Sequence, residues 1–539
     1  SLHAEQARER FRGLMRRSYR LLYVAPERLM LRGTLQALAE MKVALFAIDE
    51  AHCISEWGHD FRPEYRQLAL LRERFPRTPM MALTATATER VRGDIAEQLR
   101  LRDPACYLAS FNRPNLVYRV LPKKKPHHQL LAFARERPGQ SGIVYCQARR
   151  TAERIAERLN GGGVPAVAYH AGMEAAERDR NQELFIRDEV RVVAATIAFG
   201  LGIDKPDVRF VVHCDLPRNI ESYFQETGRA GRDGLASDCL LLFSPGDVVK
   251  YSRFIEEKPD PDERVIARAQ LGQMVAFAEI NSCRRAALLD YFGEHYAEDN
   301  CGACDNCLSP RERYDGTVEA QKFLSCIYRI RAKSGFDLGL IHAVEVLVGA
   351  NTEKIRRHGH QQLSTYGIGS EHIRERWTAI GRELIRMGYL RQRIDDCFSL
   401  IELTPEGRRA LIDKSPITLT RPLEETRALS DGPVTPGESG TTRSSPKSRA
   451  PRKKERAVEI EYDRELFERL RGLRKRLADA RRVPPYVVFS DVSLRQMAGL
   501  YPSSPEQFLE INGVGEKKLR DYGRVFLAEI AEHLASKAR

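Results

Sequence analysis

The sequence predicts a multidomain α/β chain: two parallel-sheet lobes in the front half, then a small cysteine-centred helical module, a winged helix and an all-helical C-terminal domain. Three observations lead there. Val43-Ala-Leu-Phe-Ala-Ile48 is an unbroken apolar run ending in Asp49-Glu50, the pattern of a parallel strand buried on both faces with carboxylates at its carboxyl end. A second series of apolar strands and amphipathic helices leads into Gln225-Glu-Thr-Gly228-Arg229-Ala-Gly231-Arg232-Asp-Gly234. Cys283, followed after seventeen residues by Cys301-Gly-Ala-Cys304-Asp-Asn-Cys307, has the spacing of a metal-ligand set.

Composition bounds the rest. At 539 residues the chain can hold three or more domains with large cores. A formal net charge of +13, with 30% charged residues of both signs, favours a polyanionic partner. No run of eighteen apolar residues exists to span a membrane, and the front carries no apolar signal region. Eleven cysteines with one tight group suit a reducing compartment and a metal site better than a disulfide framework.

In order, Leu21-Leu-Tyr-Val24 reads as a short strand running into a turn at Pro26. Asp49 and Glu50 suit nucleotide hydrolysis. A hard cation such as Mg²⁺ takes oxygen ligands from a strand-end Asp, and the neighbouring Glu can orient and deprotonate water. The loop that follows crowds Trp57, His59, Phe61, Arg62 and Tyr65 into nine residues, and rings beside Arg suit stacking on unpaired bases. Thr84, Thr86 and Thr88 place hydroxyls at alternate positions, at a strand end that can also cap the next helix. Ser110 to Asn115 is a turn-rich link into the second βαβ series, where Ser141–Cys146 and Arg191–Thr196 read as strands.

Asp49-Glu-Ala-His52 with its aromatic loop resembles motif II of the RecQ family of superfamily 2 DNA helicases. That resemblance implies two RecA-like P-loop NTPase lobes, the first one partial. It implies that Asp49 and Glu50 handle Mg²⁺ and water, and that His52 links the nucleotide site to motif III at Ala82–Thr88. Leu21–Arg28 resembles motif Ib, and Tyr169-His170-Ala-Gly172 resembles motif IVa. Thr196 would meet a DNA phosphate, Gly202 would let backbone approach a ligand, and Asp204 would face the interlobe cleft. Gln225 to Gly234 resembles motif VI. Arg229 and Arg232, punctuated by Gly, would stabilise the charge of a transferring phosphoryl group from across the cleft, making hydrolysis conditional on lobe closure.

Four thiolates at Cys283, Cys301, Cys304 and Cys307 fit tetrahedral Zn²⁺. An iron–sulfur cluster is the alternative, although the usual fourth Cys before Pro is missing after Cys307. A closed four-ligand site acts by folding its subdomain. Residues 313–416 alternate helical patterns and end in a ribbon, as in a winged helix, with Lys354, Arg356 and Arg357 to meet duplex phosphates. A protein-contact winged helix is the other reading. Residues 417–457 are rich in Pro, Gly, Ser and Thr and read as a flexible linker. The remainder resembles an HRDC domain. The turn before Lys517 and Lys518 exposes N–H groups suited to a phosphate, and Tyr486 would contact single strands.

The expected divisions are a partial first lobe at 1–107, a second lobe at 108–245, the zinc module at 246–312, the winged helix at 313–416, the linker at 417–457 and HRDC at 458–539. The resemblance implies an ATP-dependent 3′-to-5′ DNA helicase of recombination and repair. Its cofactors would be ATP, Mg²⁺ and Zn²⁺. Its partners would be single- and double-stranded DNA and a single-strand-binding protein, in the cytoplasm at the nucleoid and not at a membrane. The sequence contains no Gly-x-x-x-x-Gly-Lys-Ser/Thr loop. The chain is therefore expected to begin inside the motor of a longer protein, and to bind DNA while hydrolysing ATP poorly on its own. The alternative is a non-catalytic DNA-binding protein on an inactive motor.

Overall fold

A computed structural model describes residues 4–16, 18–58, 62–200, 203–298, 300–309, 313–395, 398–420 and 461–537. Of the expected site residues, His59, Phe61 and Gly202 lie outside these, as does the expected linker beyond residue 420.

The second lobe is built on six parallel strands. Its strands are β3 (Leu116–Pro122), β4 (Ser141–Tyr145), β5 (Ala166–Tyr169), β6 (Val192–Ala195), β7 (Val208–His213) and β8 (Ser237–Phe243), in the order β3-β8-β7-β4-β6-β5. β4, β6 and β7 are buried along their whole length, as expected of central strands covered on both faces. Helices cover one face around Ile155, Leu159 and Phe210. On the other face Phe185, Phe199 and Tyr223 share a single core with Leu271, Met274, Phe277, Leu288 and Cys304 of the cysteine module. Module and lobe are one folded body. The module also closes the sheet's edge: Tyr118 of β3 makes a parallel bridge to Cys304, and the Val120 N–H donates to Asp305 at 2.9 Å. A covered edge strand offers no template for foreign pairing.

The first lobe departs from expectation. β1 (Phe46–Ile48) pairs in parallel with β2 (Met80–Ala82), and these are the two strands of its sheet among the described residues. With one neighbour strand the run is not buried on both faces: Ile48 is buried, but Ala47 is exposed and Leu45 is 46% exposed. Leu21–Val24 forms no strand. Tyr23 is 92% exposed, because no partner strand lies beside it among the described residues. Thr88 does cap the helix Glu89–Gln98, accepting from the Val91 N–H at 3.4 Å.

The winged helix packs Thr317–Ser334, Leu340–Leu347 and Arg374–Arg386 around buried Trp377 and Phe323. Its ribbon is β10 (Leu390–Asp395) with β11 (Phe398–Leu403). β12 (Thr418–Thr420) pairs with β9 (Arg313–Asp315), so the domain runs to residue 420 and the linker does not begin at 417. The physical reason is burial: Ile417 and Leu419 fill the core although their Thr- and Pro-rich surroundings look like a tether. The C-terminal helices enclose Leu470, Phe489, Phe508 and Phe526. This domain lies against the second lobe, where Lys475 donates to the carbonyls of Arg187 and Asp188 at 3.2 Å each and Arg471 donates to that of Gly139.

A histidine pair sits in the winged-helix core. His342 Nε2 lies 2.7 Å from His360 Nδ1, and His360 Nε2 lies 2.7 Å from Ser334 Oγ. Burial, then the nearby His360, Lys354 and His358, push His342 down to about 4. An unfolded imidazole titrates near ~6.5, so the stability held here is complete above about pH 6.5 and is lost as pH falls toward 4. The chain has two tryptophans, so Trp377 fluorescence in a Trp57→Phe background reports on this domain. Its denaturation midpoint should fall between about pH 6.5 and 4, and His342→Gln should flatten that slope. Equal slopes in both proteins would contradict this account.

Candidate functional site

Between the lobes lies a cleft of about 410 Å³ lined by Glu50, Thr86, Arg113, Asp204, Gln225, Arg229 and Arg232. Residues from separate motifs therefore face one space. Glu50 sits at the end of β1 with left-handed backbone (φ 48°), which turns the chain sharply away from the strand. Its N–H donates to the Asp49 carboxylate at 2.9 Å, and that exposed carboxylate stands at the strand's mouth. His52 is 2% exposed. Its Nδ1 lies 2.9 Å from Thr84 Oγ1 and 3.3 Å from Glu50. The imidazole thus lies between Glu50 and Thr84.

The facing wall comes from the turn after the helix Ile220–Thr227. Arg232 donates to Asp204 at 2.7 Å and to the Ile203 carbonyl at 3.0 Å. Arg229 is 6% exposed, and its Nε meets no acceptor. A buried guanidinium with an open donor on a cleft wall fits an oxyanion. Gly231 makes the turn: φ is +55°, and a Cβ there would lie 2.4 Å from Asn115 Nδ2 and 2.7 Å from the Leu235 carbonyl. Arg113 was not singled out from the sequence. It has no motif of its own, and only the fold brings it to the cleft.

The four cysteine sulfurs lie within 4.8 Å of one another, with Cys304 and Cys283 buried. Burial, with the Cys304 and Cys283 thiols beside it, pushes the Cys307 thiol up. Deprotonated together, such thiols need a cation among them, so the donor set fits a tetrahedral thiolate-loving metal. Arg284 anchors the cluster's helix through Asp305 at 2.5 Å.

The expected DNA contacts are dispersed. Trp57 stacks under Arg90, 3.4 Å from guanidinium carbon to ring centroid, and its carbonyl accepts from Gln270 at 3.4 Å. Its neighbours Glu56 and Gly58 line a second cleft, of about 510 Å³, together with Gln147, Arg218, Asn219, Tyr251 and Lys258. Sequence reasoning missed that cleft because its residues come from five separate segments. Arg62 is half-buried, and Thr196 is 8% exposed at the end of β6. Lys354, Arg356 and Arg357 are exposed on the short helix Glu353–Arg357. Tyr486 is half-buried, with its ring 6.0 Å from Lys205 of the second lobe. Lys517 is exposed, while Lys518 lies 5.3 Å from the Phe489 ring and burial lowers its pKa.

Five family models match successive stretches: DEAD/DEAH box helicase at 1–94, helicase conserved C-terminal domain at 123–234, RecQ zinc-binding at 245–308, RQC domain at 310–428 and HRDC domain at 463–530. The chain is 45% identical over 516 residues to the ATP-dependent DNA helicase RecQ of Haemophilus influenzae, covering 96% of this chain and 79% of that protein. It is 39% identical over 523 residues to the ATP-dependent DNA helicase RecQ of Bacillus subtilis, covering 97% and 82%. Identity to the RecQ-like DNA helicase BLM of Xenopus laevis is 36% over 535 residues, covering 94% of this chain and 38% of that protein.

The site's most constrained backbone position gives a direct check. Gly231→Ala should destabilise the turn by at least about 1 kcal/mol, since a left-handed, crowded position cannot take a methyl group. Hydrogen exchange of the β7 and β8 amides should then lose at least about fivefold of its protection. Unchanged protection would contradict the geometry of the turn.

Proposed function

The chain belongs to the RecQ family of DNA helicases, and from that premise we propose that it is the motor of an ATP-dependent, 3′-to-5′ DNA-unwinding enzyme acting in recombination and repair. The observation that carries this reading is the shared cleft: Glu50 on one lobe faces Arg229 and Arg232 on the other. Bound ATP with Mg²⁺ would supply the phosphoryl group and part of its charge neutralisation. Asp49 would hold the cation. Glu50 orients the attacking water and takes its proton. Arg229 offers its open Nε donor to the developing phosphoryl charge, and Arg232 exchanges Asp204 for the same charge as the lobes close. Gln225, one turn before these arginines, faces the same space. His52 and Thr84 carry the state of the acidic pair toward the loop at Trp57.

Single-stranded DNA fits the cleft beside Trp57, where Gln147, Arg218 and Asn219 offer donors to phosphates and bases and Tyr251 offers a ring. Thr196 and Arg62 belong to the same path; His59 and Phe61 are kept as expected DNA contacts and Gly202 as an expected nucleotide contact, all three outside the described residues. Lys354, Arg356 and Arg357 grip duplex phosphates ahead of it. Tyr486, Lys517 and Lys518 add single-strand affinity when the C-terminal domain leaves the lobe, and a single-strand-binding protein is a further partner. No helix among the described residues is long and apolar enough to cross a membrane; a place at the nucleoid in the cytoplasm follows from the proposed action on DNA. Zinc is the metal for Cys283, Cys301, Cys304 and Cys307, given the RecQ zinc-binding match at 245–308. A non-catalytic platform is the weaker reading, because the relatives are named as ATP-dependent helicases.

Two measurements test this. Single-strand-stimulated ATPase is compared between residues 1–539 and the complete reading frame of the gene. DNA binding is expected in both and robust turnover in the complete frame. Silence in both, with DNA bound, would contradict the motor. Metal analysis should return close to one zinc per chain, falling to none in Cys304→Ser. Iron with sulfide at that site would contradict zinc.

A further inference from the structure

The link between the lobes, Ser110 to Asn115, is held from two sides. On the side of the cysteine module, the Arg285 guanidinium is 3% exposed and donates to Asn112 Oδ1 at 2.8 Å. It also donates to the carbonyls of Arg113, Pro114 and Leu116 at 2.5, 3.4 and 2.7 Å. The Glu294 carboxylate accepts from the Ser110 hydroxyl at 2.5 Å and from the Phe111 N–H at 2.6 Å. The Phe111 ring stacks on Phe292 with centroids 4.6 Å apart.

On the other side stands the turn that carries the cleft arginines. The Arg113 guanidinium donates to the carbonyls of Gly228, Ala230 and Gly231 at 3.2, 3.0 and 2.9 Å. Asn115 donates to the carbonyls of Gly231 and Leu235 at 2.9 Å each. Carbonyls at a helix end have no intrahelical partner and need donors from elsewhere. A planar fork can serve three of them at once, which a single ammonium cannot. Arg113 also borders the cleft, yet its donors are spent on backbone rather than aimed at a ligand.

We propose that Arg113 is a positioning residue for Arg229 and Arg232: it fixes their turn to the interlobe link, and Arg285 fixes that link to the helix that begins at Cys283. The role rests on Arg229 and Arg232 being the charge-stabilising groups. In this arrangement the cysteine module is a bracket for the phosphate-facing wall as well as a folded unit. Movement of the link on lobe closure is delivered to the arginines through three hydrogen bonds.

The test compares Arg113→Ala, Arg113→Lys and Arg229→Ala in the protein encoded by the complete reading frame. Arg113→Ala should lower kcat of the single-strand-stimulated ATPase by about 100-fold, the scale of a misplaced reacting group. KM for ATP and affinity for single-stranded DNA should stay within about threefold, because the binding surfaces remain. Arg113→Lys should not restore turnover, whereas added guanidinium ion should restore part of it in Arg113→Ala. Hydrogen exchange on residues 1–539, which needs no turnover, should quicken at Gly228–Gly234 and stay constant in β4 and β7. Parental kcat in Arg113→Ala would overturn the proposal, as would loss of protection throughout the lobe, which marks a purely structural role. If Arg229→Ala keeps parental kcat, the charge-stabilising reading itself fails. If Arg229→Ala is inactive and Arg113→Ala is not, only the positioning role fails.

Discussion

The join between the second lobe and the cysteine module is the constraint on which the rest of the structure depends. A parallel sheet must be covered on both faces, and here one cover is supplied by Leu271, Met274, Phe277 and Leu288 rather than by the lobe's own helices alone. The bridge from Tyr118 to Cys304 then seals the edge at β3. Ordering the thiol cluster and ordering the lobe are therefore one event. The link between the lobes runs across that join, so the geometry of the cleft is set by the same contacts that complete the core.

Buried charge marks the second fixed boundary. Lys205, fully buried, pairs with Asp188 at 2.6 Å and Asp207 at 2.9 Å, and the neighbouring Arg474 pairs with Asp491 at 2.9 Å. Unpaired, any of these would carry a large desolvation penalty, so each charge is matched by an opposite one across or beside the contact. The C-terminal domain meets the lobe at this network, and Tyr486 faces Lys205 there. The single-strand contact proposed for Tyr486 would compete with the docked arrangement for the same ring. The helix Glu353–Arg357 buries Ile355 in the winged-helix core and leaves Lys354, Arg356 and Arg357 exposed.

Much of this was legible in the residues because the signals were local. Asp49, Glu50 and His52 lie within four residues, three of the four cysteines lie within seven, and Arg229 and Arg232 are set off by glycines. The apolar runs at β4 and β6 read as strands, and both are buried along their whole length. The same reasoning failed for Val43–Ile48, where the apolar run is real but the neighbouring strands that would cover it are not among the described residues. It failed at Thr418–Thr420 because linker-like composition outweighed the burial of Ile417 and Leu419. Arg113, Arg285 and Glu294 were invisible for a different reason. Their meaning lies in contacts between segments more than a hundred residues apart, which no local pattern encodes.

Strand separation tests the account most directly. The protein encoded by the complete reading frame, and its Arg229→Ala variant, are given duplexes bearing either a 3′ or a 5′ single-stranded tail, with and without ATP. The account predicts separation of the 3′-tailed duplex alone, only with ATP, and lost in Arg229→Ala. Separation that ignores Arg229→Ala, or vigorous ATP hydrolysis with no strand separation, would contradict it.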